Sequence, residues 1–180
     1  SLIGQVAREW QANASQPFRT LYVCSDKTVR GDDTFVTSTG QLGFPVSSDP
    51  TIAPEKIRHF LNGSGKKVVF STYQSSDQIA KAQENLSHRF DLIVCDEAHH
   101  CAVSHKKQSP FTAVLDNNQI VGDKRLFMTA TPRTATRRVR DAAQQNDIQT
   151  SSMDDESQFG KIFHTLTFGE AIAGDLLNDY

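Results

Sequence analysis

The residues best equipped for chemistry stand together as Asp96-Glu97-Ala98-His99, directly after the apolar run Leu92-Ile93-Val94-Cys95. Four consecutive apolar residues suit a strand buried on both faces of a parallel sheet. Such a strand places the residues after it at its carboxyl end, where open α/β sheets hold their ligands. Adjacent carboxylates repel, and a bound divalent cation is the simplest compensation. Asp96 would hold the metal, directly or through water, while Glu97 stays available to orient and deprotonate a water. That is the layout of nucleoside-triphosphate hydrolysis. A second string, Phe127-Met128-Thr129-Ala130-Thr131-Pro132-Arg133, also closes an apolar segment. Thr129 and Thr131 alternate along an extended chain and so point the same way, able to hydrogen-bond a nearby histidine or a phosphate oxygen.

The pattern around these strings predicts the elements that carry them. Strands are expected at 18–24, 67–72, 90–96 and 125–130, with another short one at 162–168. Leu2, Ile3, Val6 and Trp10 fall at helical spacing, an amphipathic helix whose beginning is missing. Further helices are expected from Ser48 or Asp49 through Ile57, Phe60 and Leu61, near 76–87, at 111–115 behind Pro110, at 134–145 and near 169–177. Strands separated by helices, without tight-hairpin signals, mean parallel crossovers. Residues 26–50 are polar and long for a loop, with Leu42 to Val46 able to pack locally. The tract 147–157 reads as a solvated connector.

Composition sets bounds. The 180 residues are 37% hydrophobic and 22% charged, which suits about one domain with a real core. No apolar run reaches the ~20 residues of a membrane span, and no secretory leader is visible. A net charge of −2 leaves nucleic-acid binding to a local groove. Cys24, Cys95 and Cys101 form no CxxC pair, so a reducing cytoplasm is expected. The chain begins without Met, as a fragment of a longer protein would.

The pairing of DEAH (Asp96 to His99) with TATPR (Thr129 to Arg133) resembles motifs II and III of superfamily 2 helicases and translocases. Ser1-Leu2-Ile3-Gly4-Gln5 resembles the end of motif Ia. Phe70-Ser71-Thr72-Tyr73-Gln74-Ser75 resembles the strand-end motif that touches the nucleic-acid backbone. The TATPR form and the DEAHH start are most similar to bacterial restriction and phage-defence helicases, including type III restriction-subunit relatives. The resemblance implies an α/β fold: a partial RecA-like three-layer domain with a mostly parallel sheet over residues 1–168. Residues 169–180 would lead toward a second motor domain. It implies ATP and Mg²⁺ as cofactors, with Asp96 holding Mg²⁺, Glu97 as general base and His99 linking the nucleotide site to Thr129 and Thr131. Gln5, Thr72 and Arg133 would meet nucleic acid, most simply double-stranded DNA.

One expected part has no counterpart in this sequence. Phosphate-loop hydrolases need G-x-x-x-x-G-K-[ST], and Gly63-Ser64-Gly65-Lys66-Lys67 does not satisfy it: Phe60 and Lys67 break the pattern and a strand comes next. The loop and its strand are expected upstream, beside the strand bearing the third motif. Without that strand the edge of Leu126 to Met128 would be exposed. These 180 residues alone are therefore expected to show negligible ATPase activity.

Rival readings are a non-catalytic nucleic-acid or protein scaffold derived from a motor domain, and another phosphate-loop enzyme of transporter type. Intact Asp96 and Glu97 disfavour the first, and the DEAH–TATPR pairing disfavours the second. His99, His100, Cys101 and His105 could suggest zinc, but the second half of a structural site is lacking. Arg133, Arg137, Arg138 and Arg140 are either a solvated face or a phosphate-contacting patch.

Overall fold

A computed structural model describes residues 2–24, 44–46, 53–84, 86–102, 105–106, 109–136, 138, 148–149 and 151–178. Its helices are α1 (Leu2–Asn13), α2 (Ala53–Asn62), α3 (Ser76–Gln83), α4 (Glu156–Phe159) and α5 (Phe168–Ala173). Its strands are β1 (Arg19–Val23), β2 (Phe44–Val46), β3 (Lys67–Ser71), β4 (Phe90–Cys95), β5 (His105–Lys106), β6 (Gly122–Phe127) and β7 (Ile148–Gln149). The 3₁₀ turns Tyr73–Ser75, Ala98–His100 and Pro110–Leu115 complete the order.

Two parallel sheets form the frame. The first runs β2-β1-β3 and the second pairs β4 with β6. Every partner in them is parallel, as helix-separated strands require. β2 contains Pro45 and lies at a sheet edge, where a missing N–H costs least. The short β5 and β7 pair antiparallel, a pairing the sequence pattern did not announce.

Alternation along β1 separates the layers. Leu21 and Val23 join the main core with Ile57, Phe60 and Leu61 of α2 and with Ile79 and Ala82 of α3. Thr20 and Tyr22 point to the opposite face. There Thr20 Oγ1 accepts from Gln11 Nε2 of α1 at 2.9 Å, and Tyr22 stacks on Phe70, whose ring meets Trp10 edge-on. Helices thus cover both faces of the first sheet, α1 on one side and α2 with α3 on the other. The buried residues of α2, Ala53, Ile57, Phe60 and Leu61, recur at helical spacing and account for its placement. Arg58 of α2 reaches the carbonyls of Lys81 and Ala82 at 3.3 and 3.4 Å, satisfying the end of α3.

The second sheet is covered differently. Ile93 and Cys95 face the core, together with Phe127. Arg125, on that same face by register, donates to the carbonyls of Val114 and Ile120 at 2.7 and 2.5 Å. The other face is open: Leu92 is 53% exposed and Met128 41%. The expected burial of β4 on both faces is therefore corrected to burial on one. At its start β6 approaches closely enough that a Cβ on Gly122 would lie 2.6 Å from Ile93 Cδ1, so a larger residue there would require the Ile93 side chain to shift. Between the N-terminal ends of β3 and β4 lies a cavity of about 430 Å³, lined by Lys66, Lys67, Val69, Phe90 and Asp91 among others.

Four further expectations change. Residues 161–167 form no strand; they run exposed, with Ile162 and Phe163 more than three-quarters accessible. The next helix, α5, is shorter than expected and starts on a capping box, Thr167 with Glu170. The tract after 147 is not a solvated connector either. Ser151 and Ser152 are buried, Ser152 Oγ accepts from Ala135 N–H at 2.7 Å, and Met153 N–H bonds Arg133 C=O at 3.0 Å. Phe159 then packs edge-on against Phe127. Residues 134–136 are not helical, and most of the helix expected at 134–145 lies outside the described residues. So do most of 26–50 and the expected helix start at Ser48 or Asp49. The Gly63–Lys66 segment is a turn into β3, with Gly65 at φ +85° and Lys66 C=O accepting from Arg19 N–H.

Candidate active site

The carboxyl ends of β4 and β6 are tied together beyond their ladder. Met128 N–H bonds Cys95 C=O, and Ala98 N–H bonds Met128 C=O, both at 2.9 Å. These bonds carry the chain around a tight turn in which Glu97 adopts left-handed geometry, φ 48° and ψ 44°. A side chain in that region costs ~1–2 kcal/mol, and the surrounding hydrogen bonds hold it there. Asp96 Oδ1 accepts from Glu97 N–H at 2.9 Å.

The turn brings four of the sequence-selected residues into one cluster. His99 Nδ1 lies 3.1 Å from Glu97 Oε2, 2.9 Å from Thr129 Oγ1 and 3.3 Å from Thr131 Oγ1. Thr129 Oγ1 also accepts from Thr131 N–H at 3.1 Å, which fixes the two threonines relative to each other. A carboxylate only accepts, so the Glu97 contact needs the His99 proton on Nδ1. With the proton on Nε2, the Thr129 hydroxyl can donate to Nδ1 instead. The His99 side chain is 12% exposed and that of Glu97 56%, so the cluster runs from the interior outward to solvent.

Asp96 is exposed beside this cluster. Its hard carboxylate oxygens suit Mg²⁺, which takes one or two carboxylates and completes its shell with water and phosphate oxygens. Among the described residues no group of three or more His, Cys, Asp or Glu is placed to hold a metal by itself. Cys101 is fully buried, and the side chain of His105 lies outside the described residues.

The remaining selected residues stand apart. Gln5 is exposed on α1, and Arg133 is exposed after the threonine turn. No hydrogen bond or ion pair joins either side chain to the cluster among the described residues. Thr72 ends β3, its N–H bonded to Val23 C=O at 3.3 Å and its hydroxyl donating to Ser75 Oγ at 3.2 Å.

The residue after Thr72 was not selected from sequence as functional, yet it reaches the turn. Tyr73 Oη donates to Asp96 C=O at 2.7 Å. Burial, reinforced by the neighbouring Cys101 and Cys95, pushes its phenol pKa well above the ordinary value, so the hydroxyl stays a donor. Burial likewise raises Cys95 to about 12 and Cys101 to about 11. An aromatic residue directly after a strand end was the one available signal; its partner, distant in sequence, was not readable from spacing.

Known proteins resemble this chain in sequence and in overall fold. The sequence model for the type III restriction enzyme res subunit, ResIII, matches residues 3–134. The chain resembles a nuclease-deletion mutant of the Type ISP restriction-modification enzyme LlaGI, solved in complex with a DNA substrate mimic. The identity is 31% and the TM-score 0.70, over 99% of this chain and 13% of that one. It also resembles the ATP-dependent Type ISP restriction-modification enzyme LlaBIII bound to DNA. There the identity is again 31% and the TM-score 0.55, over 98% of this chain and 14% of the other. The chain thus spans about one-seventh or less of these enzymes. A search of curated proteins gave no match. Parallel sheets, the acid–histidine–threonine cluster and the family match over most of its length agree: the chain is a RecA-like, superfamily 2 helicase-type domain and belongs to the type III restriction enzyme res subunit family.

Proposed function

We propose that this chain is the greater part of the first motor domain of an ATP-driven translocase or helicase acting on double-stranded DNA in a restriction or defence system. Residues 1–168 form the motor unit and 169–180 lead toward a second motor domain of the same polypeptide. The observation that carries this reading is the convergence of Glu97, Thr129 and Thr131 on His99 Nδ1 across the ends of β4 and β6. LlaBIII, described as ATP-dependent and bound to DNA, lends support to the choice of nucleotide and polymer.

Asp96 would hold Mg²⁺, and Glu97 takes the proton from the water that attacks the γ-phosphorus in line. Mg²⁺, when bound, supplies charge neutralisation for the phosphate oxygens. His99 holds Glu97 and senses the threonine turn, so movement at Thr129 and Thr131 alters the orientation of the base. Gln5, Thr72 and Arg133 bind the nucleic-acid backbone. The phosphate loop comes from elsewhere in the polypeptide, and positioning supplies most of the rate. Cys24, Cys95 and Cys101 are buried as small apolar side chains, which fits a cytoplasmic site of action.

Glu97→Gln in the full-length polypeptide tests the reading. It keeps the shape of the side chain, so ATP binding should persist while turnover falls by about two orders of magnitude or more. Retained turnover would remove Glu97 from the role of base.

A further inference from the structure

We infer that Tyr73 is a positioning residue for hydrolysis: its hydroxyl fixes the peptide between Asp96 and Glu97 and ties that peptide to the strand end carrying Thr72. The inference rests on the roles proposed for Asp96 and Glu97 in hydrolysis.

The peptide joining Asp96 to Glu97 is held at both ends. Its carbonyl accepts from Tyr73 Oη at 2.7 Å, and its N–H donates to Asp96 Oδ1 at 2.9 Å. The next N–H, of Ala98, is held by Met128 C=O. Rotation of the first peptide would carry Glu97 out of its left-handed geometry and swing the Asp96 carboxylate with it. A hydrogen bond to the carbonyl opposes that rotation directly.

Tyr73 is itself immobilised. Its ring stacks on Phe111 with centroids 6.1 Å apart and an interplanar angle of 19°, and the His100 ring lies 6.3 Å away. Its backbone opens the 3₁₀ turn Tyr73–Ser75, whose Ser75 N–H bonds Thr72 C=O at 3.0 Å. After that turn, Ser76 Oγ lies within hydrogen-bond reach of the carbonyls of Tyr73 and Pro110, which share its one proton. The phenol therefore cannot track a displaced Asp96 by swinging alone. Among the described residues β3 and β4 share no ladder, so this hydroxyl reports the position of one sheet's end to the other. A shift of Thr72 on binding a nucleic-acid backbone would reach the hydrolytic turn through a single side chain.

The test compares Tyr73→Phe and Glu97→Gln in the full-length protein, measuring ATP turnover with and without duplex DNA. Tyr73→Phe removes one oxygen and keeps the ring packing. The DNA-stimulated kcat should fall about tenfold, while KM for ATP and Kd for DNA stay within about twofold of the parent. An unchanged kcat overturns the inference. So does a loss in which KM and the unfolding midpoint move together with kcat, because that marks a structural defect. The parallel variant separates the two levels: turnover surviving Glu97→Gln refutes the base assignment itself, whereas its loss beside a normal Tyr73→Phe refutes the role of Tyr73 alone.

Discussion

The two parallel sheets of this domain are held by different means. β1 is enclosed: Tyr22 is 1% exposed, Leu21 and Val23 are buried, and helices lie on both sides. β4, with the more apolar sequence, is enclosed on one side only. Its carboxyl end is nevertheless cross-bonded through Met128, Ala98, Asp96 and Tyr73. Burial stabilises the frame, and directional hydrogen bonds shape the site. Apolar contacts resist separation but tolerate sliding, whereas a hydrogen bond fixes where an atom sits.

That contrast can be broken experimentally, most severely at Tyr22. Tyr22→Ala removes a fully enclosed ring and should destabilise the domain by about 3–5 kcal/mol in urea denaturation. Leu92→Ala on β4 should cost less than about 1 kcal/mol, since half of the side chain already meets solvent. Equal losses would show that the open face of β4 is covered in solution.

A smaller effect of opposite sign is expected at Glu97. Glu97→Gly relieves the left-handed backbone and should raise stability by up to ~1 kcal/mol, while abolishing turnover in the full-length enzyme. Destabilisation by this change would mean that the carboxylate contributes more to the turn than its geometry costs.

The mildest expectation concerns the thiols beneath the site. Burial raises Cys95 to about 12 and Cys101 to about 11, against an ordinary value of 9.0. Their neutral forms are favoured in the fold, so stability is complete below about pH 9 and declines as pH rises toward those values. Both should resist alkylation at pH 8 until the protein unfolds. Rapid labelling of either in the native state would show that the corner opens readily.

Much of this arrangement was legible in the sequence. The apolar run into Asp96 and Glu97 located a strand end, and the alternation of Thr129 with Thr131 pointed two hydroxyls the same way, toward a histidine or a phosphate oxygen; the structure supplies the histidine. Those signals are local, and local geometry sets them. The features that escaped are non-local. Leu92 reads as core because its neighbours in sequence are apolar, but the cover on its face is a tertiary matter. Residues 162–167 alternate like a strand yet find no partner among the described residues, and strand propensity without pairing does not make a sheet. Ser151 and Ser152 look solvated until Ala135 and Arg133 bond to that segment. Tyr73 sits in a string whose sequence-level interest is Thr72; only the fold reveals which carbonyl its hydroxyl meets.

The cavity between the starts of β3 and β4 is bordered by Gln83 of α3, whose amide donates to the carbonyls of His88 and Val121. At that end the two sheets meet through a helix side chain, whereas at the far end a phenol spans them directly, so the acid pair feels its neighbouring sheet with no helix in between.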